Sequence, residues 1–266
     1  MNMEQLSVVE LGIAAALVVV LAVTNLVLGL GQARSLLVAA VRATVQLLLV
    51  GLVLKFVFDV GHWGWVALIG LFMLAMAGYE VLARQKRRFA GVWGYGVGAV
   101  SMFVSSFSVT LLALLVIVAP TPWYEPQYAI PLLGMILGNT MTGIAVAMER
   151  LTDAAWRQRR EIEGRLLTGV TWAQAIAEPR RDAARAGLTP IINAMAASGV
   201  VSLPGMMTGQ ILAGAPSVEA VKYQIMILFL IAVGTGFGVL AALWLASRRL
   251  FDERQRLRLD RLQARA

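Results

Sequence analysis

The 266-residue chain has no cysteine, one histidine and only 14% charged residues. Without cysteine there is no disulfide framework and no thiolate metal site. Soluble domains average about 25% charge, so a deficit this large argues against a water-soluble globule. The first ten residues, MNMEQLSVVE, contain Glu4 and Glu10 but no Lys or Arg. They lack the positive start of a cleavable signal peptide, so the first apolar run reads as a retained span. Catalytic motifs are missing too. No GxxxxGK(S/T) loop occurs, so the chain does not hydrolyse nucleotide in the P-loop manner. There is no HExxH, no GxSxG and no pair of carboxylates inside an apolar run. The sequence suggests no enzyme of its own.

What is present is hydrophobic: 59% of the residues, gathered into runs. A run of about 20 apolar residues spans the roughly 30 Å hydrocarbon core. The pattern predicts an all-α polytopic membrane protein with about seven spans, near 8–30, 36–58, 64–83, 92–119, 129–149, 190–214 and 222–247. It reads as a single transmembrane domain over 1–266, with an inner loop at 150–188 and a basic tail at 248–266. Of the 23 Lys and Arg residues, all but Lys55 and Lys222 fall on one side of this topology. The opposite loops carry Glu4, Glu10, Asp59, Glu125 and Glu219. The positive-inside rule then puts the N-terminus outside and the C-terminus in the cytoplasm. The net charge of +8 is thus a topology signal rather than a nucleic-acid footprint, and its clusters can also meet anionic lipid.

The stretch TPIINAMAASGVVSLPGMMTGQILAG, residues 189–214, is apolar enough to span yet contains Pro204-Gly205. Proline lacks an N–H and clashes with the carbonyl four residues back. A broken span is tolerated where protein or a wet cavity surrounds it. The stretch therefore reads as a buried gate, the competing reading being a kinked packing helix. Ala194, Ser198, Ser202, Gly205 and Gly209 form a small-residue ladder on it, and Thr189-Pro190 reads as its N-terminal cap. Similar ladders run through Gly134, Gly138, Thr142, Ala145 and Glu149, through Gly94, Gly98, Ser101, Ser105 and Ser108, and through Gly234, Gly238 and Ala242. They predict a compact bundle, with contacts either within one chain or between two.

Polar groups near mid-membrane are functional candidates by default, with interhelical hydrogen bonding as the alternative. They include Gln46, Ser105, Ser106, Asn139, Ser202 and Thr235. The candidate pathway is Gln46, Asn139, Thr142, Asn193, Ser198, Ser202 and Met206, gated at Pro204 and Gly205. Met135, Met141, Met195, Met206 and Met207 fill gaps or offer thioethers to a soft ion. Arg42 sits inside the second span and needs a partner, for which Glu149 and Glu80 are the candidates. In the 150–188 loop, Thr171 and Gln174 have capping-box spacing, and Glu178-Pro179 ends or bends the helix that follows. Short helices there either rest on lipid or dock a partner. The tail RRLFDERQRLRLDRLQARA reads as a solvated mixed-charge helix.

Three stretches together resemble the FetB (YbbM) family of ABC-transporter permeases: RATVQLLLVGLVL (42–54), YAIPLLGMILGNTMTGIAVAMERL (128–151) and INAMAASGVVSLPGMMTGQILAGAPSVEAVKYQI (192–225). The resemblance covers nearly the whole chain, and GMILGNTMTG and SLPGMMTGQILAG are its specific parts. It implies the membrane half of a bacterial inner-membrane exporter whose ATPase, FetA-like, is a separate cytoplasmic chain binding ATP and Mg. It also implies a homodimer carrying two such ATPases. The bacterial family is associated with iron efflux, and its plant relatives with aluminium tolerance and UDP-glucose. Under that resemblance Trp172, Glu178, Arg180, Arg181, Asp182 and Arg185 become the ATPase contacts, and DAARAG (182–187) loosely resembles the EAA loop of ABC importers. Iron(II) prefers imidazole or carboxylate ligands, and the mid-membrane set has neither. Iron as substrate therefore comes from the resemblance alone, and a nucleotide-sugar or lipid-like substrate, or a non-transporting scaffold, stays open beside it.

Overall fold

The computed structural model describes residues 7–264; Glu4 and Arg265, counted in the charge pattern, lie outside the described residues. The chain forms two compact units, Met1–His62 and Trp63–Ala266. In the first, α1 (Val8–Val27) and α2 (Ala33–Val60) pack on each other as a helical hairpin. A capping box starts α1: the Ser7 N–H donates to Glu10 Oε2 at 2.7 Å, and the Glu10 N–H to Ser7 Oγ at 3.3 Å. At 1.5 Å per residue α2 reaches roughly 42 Å, ample for a bilayer core. Most side chains of both helices are apolar and exposed, a distribution suited to lipid.

The second unit is built round α6 (Pro126–Arg157), which packs on α3 (Trp63–Arg84), α9 (Ala177–Ala197) and α11 (Ser217–Arg249). Proline at the first helical position starts α6, where a missing N–H does no harm. The run Val92–Ile117 is one long helix in alternating registers. It comprises α4 (Val92–Met102), a π-helical turn Phe103–Phe107, α5 (Ser108–Leu112) and a second π turn Ala113–Ile117. The first π turn carries Ser105 and Ser106, both buried. Ile136, Ile144, Met148, Leu151, Val239 and Leu243 form the core between α6 and its neighbours.

Small residues set the approach distances. A Cβ on Gly238 would lie 2.5 Å from Thr140 Cγ2, and one on Gly98 would lie 3.0 Å from Val81 Cγ1. The ladders on the fourth and last expected spans are thus packing faces. On α6 the expected ladder is packed only in part: a Cβ on Gly134 would lie 3.1 Å from Met73 Cε and Ala145 is buried, but Gly138 meets nothing within 4 Å, whereas Gly143, outside the ladder, is tightly enclosed.

Among the described residues six helices are long and apolar enough to cross a membrane, and they match six of the seven expected spans. The remaining stretch, 190–214, is divided. Its first part belongs to α9, which begins at Ala177, and its last part forms α10 (Gly205–Leu212). The expected cap at Thr189-Pro190 is therefore corrected. Pro190 lies inside α9, and the Thr189 hydroxyl donates to the Arg185 carbonyl at 2.8 Å instead of capping a new helix. Pro179 stands in the first turn of α9, where its lack of an amide hydrogen is harmless. The helix therefore starts where a bend or end was expected.

The tail also departs from expectation. It is not a helix: after α11 it turns back, with a bridge between Phe251 and Leu257. Its β2 strand (Leu262–Ala264) then pairs antiparallel with β1 (Arg87–Phe89). One turn of 3-10 helix, Leu259–Arg261, leads into the strand, where Leu262 pairs with Phe89 and both are buried. Asp252 stabilises the turn by accepting from the Arg256 N–H at 2.9 Å and the Arg256 Nε at 2.8 Å.

Candidate substrate pathway and coupling surface

The break between α9 and α10 is a self-bonded turn. The Ser198 N–H donates to the Ala194 carbonyl at 3.2 Å, and the Val201 and Ser202 N–H groups both reach the Ala197 carbonyl. The Gly199 N–H closes the turn on the Ser202 carbonyl at 2.9 Å. Gly199 has φ +84°, a left-handed conformation that glycine adopts without a Cβ clash. Pro204 caps α10 with its carbonyl, which accepts from the Thr208 N–H and hydroxyl. The helix thus ends well before Pro204, because the turn consumes the residues between.

Within the second unit the turn is exposed, where the sequence suggested burial. Val200 is 90% exposed, Val201 84% and Leu203 67%. A Cβ on Gly205 or Gly209 would meet no atom within 4 Å, so no helix packs on that ladder within the second unit. Burial would need a surface the second unit does not itself supply, and apolar side chains facing outward are what lipid or another subunit would cover.

The candidate pathway residues separate into groups. Asn139 and Thr142 share the open face of α6, their side chains back-bonded to the Met135 carbonyl at 2.8 Å and the Gly138 carbonyl at 3.1 Å. Asn193, Ser198 and Ser202 lie at the end of α9 and in the turn, the Ser198 hydroxyl donating to the Ala194 carbonyl at 2.7 Å. Met206 meets Met135 across a cavity of about 210 Å³ that also takes in Met226 and Gln210. Gln46 and Arg42 are exposed on α2 of the first unit. Glu149, in the second, accepts from the Lys86 N–H at 2.7 Å, and Glu80 lies 4.0 Å from Arg84. Among the described residues no group of three or more His, Cys, Asp or Glu is arranged to hold a metal.

The basic segments assemble at one end of the second unit. β1 follows α3, the end of α6 meets β1, and the tail meets both β1 and the start of α8 (Trp172–Ala175). The expected capping box is formed, with the Thr171 N–H donating to Gln174 Oε1 at 3.0 Å. Trp172 is half-buried: its backbone N–H donates to Gln255 Oε1 at 2.9 Å and its ring lies 5.8 Å from Phe251. Arg165 of α7 (Arg159–Leu167) bridges Glu161 at 2.7 Å and Glu178 at 2.8 Å, tying α7 to the start of α9. Glu178, Arg181 and Arg185 are exposed, Arg180 and Asp182 half-buried.

One contact was not foreseen. At Gly187 the backbone of α9 crosses α6 at Gly143. A Cβ on Gly187 would lie 2.7 Å from the Gly143 carbonyl oxygen and 2.8 Å from Ala147 Cβ. A Cβ on Gly143 would lie 2.7 Å from Thr235 Cγ2 and 3.0 Å from the Gly187 carbonyl oxygen. Both glycines stand inside the motifs DAARAG and GNTMTG, and that placement is the signal that could have singled them out. The crossing divides α9 into an exposed, charged first half and a second half that ends at the turn.

A family model described as "Uncharacterised protein family (UPF0014)" matches residues 8–251. A UPF0014 membrane protein of Synechocystis is 41% identical over 233 residues, covering 86% of this chain and 88% of that one. The Escherichia coli protein named probable iron export permease protein FetB is 31% identical over 270 residues, with 99% of each chain covered. Protein ALUMINUM SENSITIVE 3 of Arabidopsis thaliana is 36% identical over 219 residues, covering 81% of this chain and 77% of that one. No solved structure matches the chain.

Proposed function

The chain belongs to the UPF0014 family of membrane proteins, and on that premise we propose that it is the permease subunit of an ATP-driven exporter in a bacterial inner membrane. A separate cytoplasmic ABC ATPase, FetA-like, binds ATP and Mg and docks at the basic end of the second unit. Two permease chains and two ATPases make the working assembly, and iron is the proposed cargo. The name of the full-length E. coli relative supports this reading.

The observation that carries it is the course of α9. This helix runs unbroken from the exposed Glu178–Arg185 face, over the Gly187–Gly143 crossing, to the broken turn at Ser198–Pro204. An ATPase pressing on its first half would tilt it about the crossing and move the turn without any intervening joint. Interfaces and packed cores amplify small shifts in this way. Alternating access would then expose the face of Asn139, Thr142 and Asn193. A second reading has its own support: these groups are amides and hydroxyls, which suit a hydroxyl-rich cargo such as a nucleotide-sugar better than iron.

Co-reconstitution with the ATPase in vesicles tests the proposal. The expected result is ATP-dependent flux of Fe(II), abolished by Gly187→Leu while the ATPase stays bound. Flux of a UDP-sugar in place of iron would select the second reading. Retention of ATPase binding after deletion of 171–186 would overturn the docking site.

A further inference from the structure

A large crevice lies outside the proposed pathway. It is open, about 1150 Å³ in volume, and sits where α11 ends and the tail turns back. Five arginines line it (Arg248, Arg249, Arg254, Arg256 and Arg261) against two carboxylates, Asp252 and Glu253. Asp252 is already taken by Arg256 at 2.8 Å. Arg261 is anchored by donating to the Arg249 carbonyl at 2.7 Å. Arg249 has its Nε buried without a hydrogen-bond partner, and its guanidinium stands 4.7 Å over the Trp93 ring. The crevice therefore holds more positive charge than its own acids balance, and guanidinium forks match phosphate oxygens.

An apolar track leads into it. Phe229, Val233, Phe237, Leu240 and Trp244 follow one another along α11 at helical spacing, each roughly half exposed or more. The next step on that face is Arg248, whose guanidinium lies 5.6 Å from the Trp244 ring. Trp93 flanks the same crevice and is also about half exposed. A membrane-deep apolar stripe, an aromatic girdle and then a cluster of arginines is the profile of a phospholipid read from tail to headgroup. A water-borne anion would have no use for the track.

We propose that this crevice is a binding site for an anionic phospholipid, its phosphate held by Arg248, Arg249 and Arg261 and its acyl chain lying along α11. The site is independent of what the permease carries. Its position beside Trp172 of α8, which packs on Phe251, lets an occupied headgroup brace the coupling end.

Native mass spectrometry of the full chain, released from phosphatidylcholine nanodiscs and titrated with phosphatidylglycerol, tests the assignment. Arg248→Gln combined with Arg254→Gln removes two exposed charges and, of the contacts named here, only the Arg248–Trp244 stacking. The expected result is that this variant, and separately Trp244→Ala, binds phosphatidylglycerol about tenfold more weakly, the loss of roughly one charge-assisted contact. Arg160→Gln, on α7, should bind as the original chain does, and the unfolding midpoint should stay the same in all of them. Equal binding of phosphatidylcholine and phosphatidylglycerol overturns the proposal. Displacement of the lipid by millimolar inorganic phosphate overturns it too, making the crevice a free-anion site. Unchanged lipid binding with loss of a co-purifying ATPase overturns it in favour of a protein contact.

Discussion

At Gly187 and Gly143 two helices meet backbone to backbone, and a single methyl group is too much for the space. Gly187→Ala should cost about 1–3 kcal/mol through overpacking, read as a lower unfolding midpoint in detergent. Gly138→Ala, on the same helix as Gly143 but facing open space, should be neutral or slightly stabilising because alanine favours helix. Asp252 gives a second residue-scale test. Hydrogen bonds from the Arg256 backbone, then from its side chain, hold the Asp252 carboxyl below its ordinary range. A lowered folded value means the turn is supported above the unfolded aspartate value of about 3.9. That support fades as pH falls through the lower, folded value. Protease release of the tail should therefore rise on acidification below about pH 4, and Asp252→Asn should release it at neutral pH and remove the acid step.

Among the elements, the tail is the part that sequence reasoning misjudged. Its charges suggested a solvated helix, yet its last described residues, Leu262–Ala264, form a strand that pairs with β1. Phe89 and Leu262 are buried in that pairing, and Leu250 and Phe251 are buried where the tail turns. A chain ending after Phe251 should lose thermal stability and become sensitive to trypsin at Arg87-Arg88, whereas one ending after Ala264 should resist. The broken stretch is a mixed case. Proline and glycine announced an interruption, and one occurs. Where it starts was decided by Gly199 and by the turn's own hydrogen bonds. Burial within the second unit was not legible, because apolar composition cannot distinguish a core-facing surface from one that faces lipid or a second subunit.

For the protein in its bilayer, the charge pattern makes a topological prediction that the absence of cysteine renders simple to check. Leu167→Cys lies in the basic assembly at the end of α7, and Ser217→Cys lies at the opposite end of α11. With an impermeant maleimide, the first should label only from the cytoplasmic side and the second only from the other. Val201→Cys should resist the reagent from both sides despite its exposure in the single chain, because apolar surface of that kind is covered by lipid or by the second permease. Labelling of Leu167→Cys from outside would reverse the orientation.

Composition and periodicity alone determined the membrane class, six of the spans, the segregation of basic charge, the capping box at Thr171 and the presence of a break before α10. These are local or additive properties: a run is long and apolar, or it is not. Only the tertiary structure decided which small residues touch, because helix rotation settles whether Gly138 or Gly143 meets a neighbour. It also joined Arg87–Phe89 to Leu262–Ala264, a pairing across most of the second unit that no local pattern encodes. And it made α9 one continuous helix through Pro190, since packing of Gly187 against α6 outweighs the single backbone hydrogen bond that proline forgoes.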